Sequence, residues 1–265
     1  HVHTDRDDHI KARSFVVASG PLQEPKLPGI KGIDRFKGHS FHTSRWHYDY
    51  TKGDSSGGLT GLQDKRVGII GTGATAIQCV PHLGEWSQEL YVFQRTPSGI
   101  NVRNDHPTDP EWVASLKPGW QRERMDNYTR IMSGMPVDAD LVNDSWTRPV
   151  HEMLSVVPKD APPEKIAEVL QLADYREQQI VRNRVDDVVE DPKTAELLKP
   201  WYNRMCKRPT FHDGYLQTFN WPNVHLVDTN GGGVDEITED SVIVGDNAYQ
   251  IDCLIFATGF ELAAY

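Results

Sequence analysis

The chain has few cysteines and no long apolar run. Its 265 residues include 3 cysteines, at positions 79, 206 and 253. They form no C-x-x-C pair, so we expect neither a disulfide framework nor a zinc site, and a reduced, cytoplasmic setting fits best. No apolar stretch approaches the roughly 20 residues that a membrane helix needs, and no signal segment is visible. The sequence therefore predicts no membrane partner.

Basic residues are fewer than acidic residues. Lys and Arg number 28 against 38 Asp and Glu, which gives a formal net charge of -10. A surface that follows nucleic-acid phosphates needs clustered Lys and Arg, so we expect no nucleic-acid partner, although a local basic pocket remains compatible with this charge. Hydrophobic residues make up 38% of the chain, enough to bury a core. The chain begins with His1 rather than Met, and we expect its natural N-terminus to lie upstream.

A short apolar strand runs directly into a G-x-G-x-x-A sequence at residues 71–76. This context is typical of a dinucleotide-binding turn. Gly71 allows the tight turn, Gly73 lets the backbone approach a pyrophosphate, and Ala76 permits close helix-strand packing, so the phosphates meet the helix N-terminus. A glycine turn in another kind of α/β protein is the alternative. The cofactor contacts expected along this turn are Gly71, Thr72, Gly73, Ala74, Thr75, Ala76 and Gln78.

The next apolar run indicates which dinucleotide binds. Residues 90–93 predict a buried parallel strand that ends at Gln94, Arg95 and Thr96. This is about 20 residues after the glycine turn, where an NAD site usually has an acid for the ribose hydroxyls. Arg95 instead offers a planar cation suited to an additional phosphate, and Thr96 adds a hydroxyl, so NADPH is favoured over NADH. A solvated arginine at a strand end is the alternative.

The rest of the chain shows three further patterns. Two apolar runs, at 15–20 and 253–259, end in small residues. They predict strands whose backbone passes close to a cofactor or to the glycine turn. A buried strand followed by a turn is the alternative for either run alone. Residues 109–202 are polar and rich in helix-forming side chains, which predicts a helical insertion. Apolar runs at 224–227, 242–244 and 249–251 predict a β-meander.

The segment from 36 to 46 reads F-x-G-x-x-x-H-x-x-x-W, with anchors Phe36, Gly38, His42 and Trp46. Two large aromatic groups separated by glycine and polar residues suit a connector that docks between two domains, with His42 hydrogen-bonding across the junction. The histidines at 39, 42 and 47 could suggest a metal cluster, but no carboxylate or cysteine has matching spacing. We therefore expect no metal.

These anchors give the chain a resemblance to a known family. With the glycine turn, the Ala-Ser-Gly-Pro at 18–21, the Gln-Arg-Thr-Pro at 94–97, the Lys-Arg-Pro at 207–209 and the Ala-Thr-Gly-Phe at 257–260, the sequence resembles the Baeyer-Villiger monooxygenases. The resemblance implies FAD and NADPH as cofactors, a ketone and dioxygen as substrates, and an ester or lactone formed through a peroxyflavin. It also implies that the fingerprint is a hinge. His47 stands where the family fingerprint normally continues with Pro or Asp, so the loop geometry there is expected to differ.

The resemblance implies an α/β fold in which a Rossmann-like NADPH-binding domain, with the helical insertion and the β-meander, is flanked by parts of a second, FAD-binding Rossmann-like domain. A family member carries an earlier FAD turn and a carboxylate near its active arginine, both upstream of the region matched here. We therefore expect an internal portion of a longer enzyme, inactive alone, whose partner is the remainder of the same chain. The expected divisions are 1–20 (end of the FAD-binding domain), 21–61 (interdomain linker with the fingerprint), 62–108 (first part of the NADP-binding domain), 109–202 (helical insertion), 203–252 (second part of the NADP-binding domain) and 253–265 (return to the FAD-binding domain).

The catalytic candidate is Arg208. Lys207 and Arg208 precede Pro209, a context that disfavours helix, and neighbours in an extended segment point to opposite sides. One cation can therefore face NADPH while the other faces the flavin. The resemblance implies that Lys207 helps to hold the 2'-phosphate and that Arg208 stabilises the anionic flavin peroxide and its adduct with the ketone. An ordinary surface pair of basic residues is the alternative.

Other functions share some of these features. A flavin monooxygenase that oxidises nitrogen or sulfur has the same dinucleotide turns, but its usual hinge motif differs from residues 36–46. A pyridine-nucleotide disulfide reductase needs a redox cysteine pair, which this chain lacks. An NADPH-binding module without turnover is the non-enzyme alternative for the chain alone. The sequence does not predict which ketone is the substrate.

Overall fold

The glycine turn lies at the carboxyl ends of the strands of a five-stranded parallel sheet. The computed structural model describes residues 1–18, 20–158 and 160–261. The strands, in chain order, are β1 (Val2–His3), β2 (His9–Ile10), β3 (His39–His42), β4 (Arg66–Ile70), β5 (Glu89–Gln94), β6 (Ile100–Asn101), β7 (Thr210–Phe211), β8 (Val224–Asp228), β9 (Glu236–Ile237), β10 (Ser241–Val244), β11 (Asn247–Gln250) and β12 (Cys253–Phe256). The helices are α1 (Tyr48–Thr51), α2 (Ala76–Trp86), α3 (Pro110–Ser115), α4 (Trp120–Met132), α5 (Thr147–Ser155), α6 (Pro163–Val188), α7 (Pro192–Leu198) and α8 (Tyr215–Thr218).

The parallel sheet has the strand order β3-β12-β4-β5-β8. Its central strands are apolar runs because helices and loops cover both faces of such a sheet. Val67 and Ile69 of β4, Val92 of β5 and Ile255 of β12 are all 0% exposed, and they pack with α2 in one core cluster. The α/β fold class predicted from the sequence is confirmed.

The strand order reverses beside β4. After β4 the chain adds β5 and then β8 on one side, and β12 later returns to the other side, next to β3. The carboxyl ends of the three central strands coincide, since Ile70 pairs with both Phe93 and Phe256. In open α/β sheets ligands bind in the crevice at such a switch point. The glycine turn follows β4 at this edge.

The last third of the chain differs from the expected meander. β9, β10 and β11 form a three-stranded antiparallel sheet in the order β11-β10-β9. Residues 224–227, which we expected in the meander, instead form β8 of the parallel sheet and pair with β5. The reason is that β8 buries Val224 in one core cluster and Val227 in the other, whereas the meander strand β11 has a mostly exposed pattern.

The two ends of the chain also differ from expectation. Residues 14–18 form no strand, and Phe15, Val16 and Val17 are 68%, 83% and 69% exposed, because nothing within the described residues pairs with this segment. Ser19, part of the same prediction, lies outside the described residues. Residues 253–256 form β12, inside the same sheet as β4, and residues 39–42 of the expected linker form its edge strand. The division into two domains stays a prediction.

The expected insertion consists of helices α3 to α7, of which α6 is the longest, with 26 residues. Arg184 of α6 donates hydrogen bonds to the carbonyl oxygens of Ile100 at 2.8 Å and His212 at 2.9 Å. It therefore connects α6 to β6 and to the residue that follows β7, and these two strands pair as a small parallel ladder. Over the described ranges no helix is both long and apolar enough to cross a membrane.

Candidate nucleotide-binding and active site

The first glycine of the turn is required by the neighbouring strand. Gly71 has φ 111°, a backbone conformation that side chains rarely adopt, and a Cβ there would lie 2.6 Å from the carbonyl oxygen of Ala257. Its amide donates to the carbonyl oxygen of Phe93 at 3.1 Å. The turn is therefore packed between the ends of β5 and β12, in agreement with the prediction that the backbone at 257–259 passes close to it.

The second glycine faces open space. A Cβ at Gly73 would meet no heavy atom within 4 Å, and its φ is not positive. Within the part of the chain that the structure describes, no group accepts a hydrogen bond from the amides of Gly73, Ala74 or Thr75, which precede α2. Free amides at a helix N-terminus, with space in front of them, fit the pyrophosphate of a dinucleotide.

Other residues of the turn maintain its shape. The Thr72 hydroxyl donates to the carbonyl oxygen of Thr96 at 2.9 Å, and the Ser98 hydroxyl donates to the carbonyl oxygen of Thr72 at 2.5 Å. Ala76 is 0% exposed in the core, which explains the need for a small residue at that position. The side chain of Gln78 is exposed and donates to the carbonyl oxygen of Ala74 at 2.8 Å. Thus the Thr72 hydroxyl joins the turn to the loop after β5.

Two cations lie side by side beyond the end of β5. Arg95 and Thr96 are exposed, and the Lys207 ammonium donates to the carbonyl oxygens of Thr96 and Pro97, each at 3.2 Å, and to the Thr96 hydroxyl. Burial lowers the pKa of Lys207, and the nearby charge of Arg95 lowers it further. No carboxylate forms a salt bridge with either cation among the residues described. The pair is therefore available to an anionic group.

Tyr202 is a contributor that sequence reasoning missed. The Lys207 ammonium lies 5.3 Å from the centre of its ring. Its hydroxyl donates to the carbonyl oxygen of Pro97 at 2.8 Å and accepts from the Gly99 amide at 3.1 Å. Burial raises the pKa of Tyr202 to about 12, so the ring stays neutral beneath the ammonium. No sequence pattern linked this tyrosine to a site more than 100 residues away.

Arg208 lies on the other side of the same segment. Lys207 has an extended backbone, with φ -130° and ψ 158°, so the two neighbouring side chains point in different directions, as predicted. The guanidinium of Arg208 lies 5.8 Å from the centre of the Trp146 ring. Both residues line a cleft of about 420 Å³ together with Ala74 and Gln78 of the glycine turn. The structure therefore places Arg208 and the turn on one cleft.

The short ladder of β6 and β7 fixes the backbone that follows Arg208. The Thr210 amide and hydroxyl both donate to the carbonyl oxygen of Gly99, at 3.3 and 2.8 Å. The His212 amide donates to the carbonyl oxygen of Asn101 at 3.0 Å. Since Arg184 binds a carbonyl oxygen on each side of this ladder, the insertion supports the segment that carries Arg208. This pairing joins residues about 110 apart and was not predicted.

The fingerprint segment is packed against the sheet at both of its ends. A Cβ at Gly38 would lie 2.5 Å from the Phe36 ring and 2.7 Å from the carbonyl oxygen of Asp252, which explains the glycine. Phe36 packs against the cluster formed between the parallel sheet and the antiparallel sheet. The Trp46 indole donates to the Thr51 hydroxyl at 3.1 Å and packs edge-on against Phe41, with ring centres 5.2 Å apart. These three fingerprint anchors therefore have direct packing roles.

His42 is the buried member of the fingerprint, 6% exposed at the end of β3. Its Nδ1 lies 2.9 Å from the Ser44 hydroxyl, and its ring packs edge-on against Phe260 at 5.6 Å. Burial lowers the pKa of His42, because it disfavours the charged imidazolium. Its contact with Phe260 joins the fingerprint to the segment after β12. The expected hinge role remains a prediction.

The other two histidines of the segment form a pair. Nε2 of His39 lies 2.8 Å from Nδ1 of His47, and the His39 ring stacks on Tyr50 with centres 4.0 Å apart. Burial and the neighbouring His47 lower the pKa of His39. Within the described residues no group of three or more potential ligands is arranged to hold a metal ion.

Several relatives of the chain are named Baeyer-Villiger monooxygenases, and others are named monooxygenases or synthases. Over 263 residues it is 55% identical to neopentalenolactone D synthase of Streptomyces avermitilis, covering 98% of this chain and 44% of that protein. It is 50% identical over 265 residues to a Baeyer-Villiger monooxygenase of Streptomyces coelicolor, with the same two coverages. The chain is similar to Baeyer-Villiger monooxygenases over 98% of its own length. It spans less than half the length of these curated relatives. No protein-family model matches the chain.

Solved structures of monooxygenases agree with this similarity. A polycyclic ketone monooxygenase from the fungus Thermothelomyces thermophila superimposes with a TM-score of 0.83 at 48% identity, over 92% of this chain and 41% of that one. An oxidised steroid monooxygenase bound to NADP superimposes with a TM-score of 0.67 at 30% identity, over 98% of this chain and 49% of that one. The parallel sheet and its glycine turn therefore belong to a fold already seen in Baeyer-Villiger monooxygenases.

Proposed function

We propose that the whole protein is an FAD- and NADPH-dependent monooxygenase that uses dioxygen to convert a ketone into an ester or lactone. This proposal rests on the different directions in which the side chains of Lys207 and Arg208 point. Lys207 lies against Thr96 and Pro97, near Arg95, whereas Arg208 lines the cleft that also contains Ala74 of the glycine turn. Lys207 can therefore hold the phosphate end of a dinucleotide beside the cleft in which Arg208 is exposed.

The nucleotide contacts follow from turn amides that donate no hydrogen bond within the described residues, and from two cations that form no salt bridge there. The amides of Gly73, Ala74 and Thr75 would bind the pyrophosphate of NADPH, and the open space at Gly73 would admit it. Arg95 and Lys207 would bind the 2'-phosphate, since two cations without a carboxylate favour a doubly charged group. When bound, NADPH supplies a hydride and the flavin supplies the means to activate dioxygen.

Arg208 would act on the substrate. Attack on a ketone carbonyl places negative charge on oxygen, and a fixed guanidinium beside that oxygen stabilises it more in the transition state than in the ground state. The apolar side of the cleft, which includes Ile77, Trp146 and Phe211, would limit water around the reacting groups. The chain therefore contributes cofactor binding, positive charge and partial exclusion of water.

The remaining proposals concern the parts beyond the nucleotide site. Because the chain spans 44% of its first relatives, we propose that the rest of the flavin and ketone sites is formed by further parts of the whole protein. The division into NADP-binding and FAD-binding domains and the hinge role of the fingerprint are also proposals. A cytoplasmic location fits the small number of cysteines.

The proposal is tested with the full-length protein under ¹⁸O-labelled dioxygen. We expect flavin absorbance, NADPH oxidation that accelerates when a ketone is added, and one labelled oxygen atom in the ester or lactone. An assay without ketone is the control for uncoupled oxidation. Oxidation of amines or sulfides with no ester from any ketone would indicate the nitrogen- or sulfur-oxidising class instead.

A further inference from the structure

The Arg208 guanidinium lies over the indole ring of Trp146. It lies 5.8 Å from the ring centre, a distance at which an arginine over an indole face is attracted by the ring electrons. No hydrogen bond or salt bridge to this guanidinium occurs over residues 1–18, 20–158 and 160–261. The direction in which Arg208 enters the cleft therefore depends on Trp146.

Trp146 is itself firmly held. The Asp144 carboxylate accepts hydrogen bonds from the amides of Trp146 and Thr147, both at 2.9 Å, at the start of α5. The indole also packs on Phe211 of β7, with ring centres 5.0 Å apart. Phe211 lies three positions after Arg208, so the indole touches the same short segment at two points. Both side chains line the cleft.

The buried side chain of Arg204 holds Ser145, the residue between Asp144 and Trp146. The Arg204 guanidinium donates to the carbonyl oxygen of Ser145 at 2.9 Å, and the Ser145 hydroxyl donates to the carbonyl oxygen of Val102 at 2.7 Å. Arg204 is 6% exposed and lies 3.8 Å from the Glu177 carboxylate of α6. Residues 144–147 are thus connected to α6, to the end of β6 and to the segment that carries Arg208.

We propose that Trp146 is a positioning residue that holds the Arg208 guanidinium over the cleft by a cation-π contact. The inference rests on the proposed role of Arg208. It assigns to the helical insertion a part in the reaction, because Trp146 comes from the insertion and Arg208 from the segment after it. If Trp146 had only a structural role, it would stabilise the fold without affecting the position of the Arg208 guanidinium.

The kinetic test compares variants of the full-length enzyme by the ratio of ester formed to NADPH consumed. Trp146→Ala should lower this ratio by roughly two- to fivefold, the factor expected for loss of one cation-π contact, while Trp146→Phe, which keeps a ring, should retain most of it. Trp146→Ala added to Arg208→Ala should lower the ratio no further, because the indole acts through the arginine.

The matched control is Trp112→Ala. Trp112 also lies in the insertion and has an arginine over its ring, Arg124 at 5.4 Å, but neither residue lines the cleft. This variant should leave the ratio unchanged. An equal loss in Trp112→Ala and Trp146→Ala would mean that the insertion is merely destabilised, and would overturn the proposal.

A second measurement does not depend on turnover. With ¹⁵N-labelled arginine, the side-chain Nε-Hε resonance of Arg208 is identified by its disappearance in Arg208→Lys. We expect this resonance to move in Trp146→Ala, through loss of the ring current, and to stay in place in Trp112→Ala. An Arg208 resonance unchanged by Trp146→Ala would overturn the inference even if the ratio fell.

The outcomes also separate this inference from the proposed function. If Arg208→Ala remains fully coupled, the role of Arg208 fails, and the resonance experiment still reports whether Trp146 contacts it. If Arg208→Ala is uncoupled while Trp146→Ala is as coupled as the parent, the proposed function stands and the positioning role of Trp146 is wrong.

Discussion

Gly71 and Gly73 of the glycine turn should respond oppositely to the same added methyl group. At Gly73 a Cβ meets nothing within 4 Å, and φ is not positive, so Gly73→Ala introduces no clash or strain within the protein. Replacing a glycine in such a conformation stabilises a protein by roughly 0.4–1 kcal/mol, because the unfolded chain loses freedom. We therefore expect an unchanged or slightly raised melting temperature.

The same methyl group would occupy the space proposed for the pyrophosphate. Each charge-assisted contact between a phosphate and an amide is worth roughly 1.5–3 kcal/mol, so loss of one such contact should weaken NADP binding by about ten- to a hundredfold. Isothermal titration of NADP against the parent and Gly73→Ala measures this loss. Because the protein itself does not need Gly73, the loss should appear without any loss of stability.

Gly71→Ala is the matched control. There the new Cβ would lie 2.6 Å from the carbonyl oxygen of Ala257, and φ is 111°, so the residue is strained before any cofactor binds. Backbone strain of this kind costs about 1–3 kcal/mol, and the clash adds to it, so the melting temperature should fall clearly. If Gly73→Ala bound NADP as tightly as the parent, or lost as much stability as Gly71→Ala, our account of the turn would be refuted.

Three further predictions concern charge. Arg95→Ala should weaken NADPH binding by roughly ten- to a hundredfold and leave NADH binding nearly unchanged, and equal losses for both cofactors would exclude a 2'-phosphate contact. Because the pKa of Lys207 is lowered, the preference for NADPH over NADH should begin to decline at a pH below the ordinary lysine value of about 10.4, and this decline should disappear in Lys207→Met. Because the pKa of His39 is lowered on folding, the unfolded chain binds protons more readily. The melting temperature should therefore fall as pH drops below about 6.5, less steeply in His39→Gln, and equal slopes would argue against this linkage.

Local sequence patterns were sufficient for the central features of the fold. An apolar strand followed by two glycines and a small residue predicted the nucleotide turn, and Gly71 is required by its approach to Ala257, as the small residues after β12 suggested. The opposite directions of Lys207 and Arg208 followed from the proline after them. These features depend on backbone rules that act over a few residues.

Other features depend on pairing between distant segments. β3 joins the sheet through β12, more than 200 positions later, and β8 pairs with β5 rather than with the meander. A two-residue ladder such as that of β6 and β7 has too few residues to show an alternating pattern. Trp146 reaches Arg208 through the packing of the insertion, which no spacing in the sequence indicates. The features that the sequence did not predict are therefore those that depend on packing between distant segments.

The central claim is that Arg208 supplies the positive charge for oxygen transfer. The most direct test is the ratio of ester formed to NADPH consumed in full-length Arg208→Ala. We predict a fall of about a hundredfold or more, the usual effect of losing one electrostatic stabiliser, with NADPH binding largely kept through Arg95 and the glycine turn. NADPH oxidation should continue and yield hydrogen peroxide. An Arg208→Ala enzyme that still forms one ester for each NADPH consumed would contradict the claim.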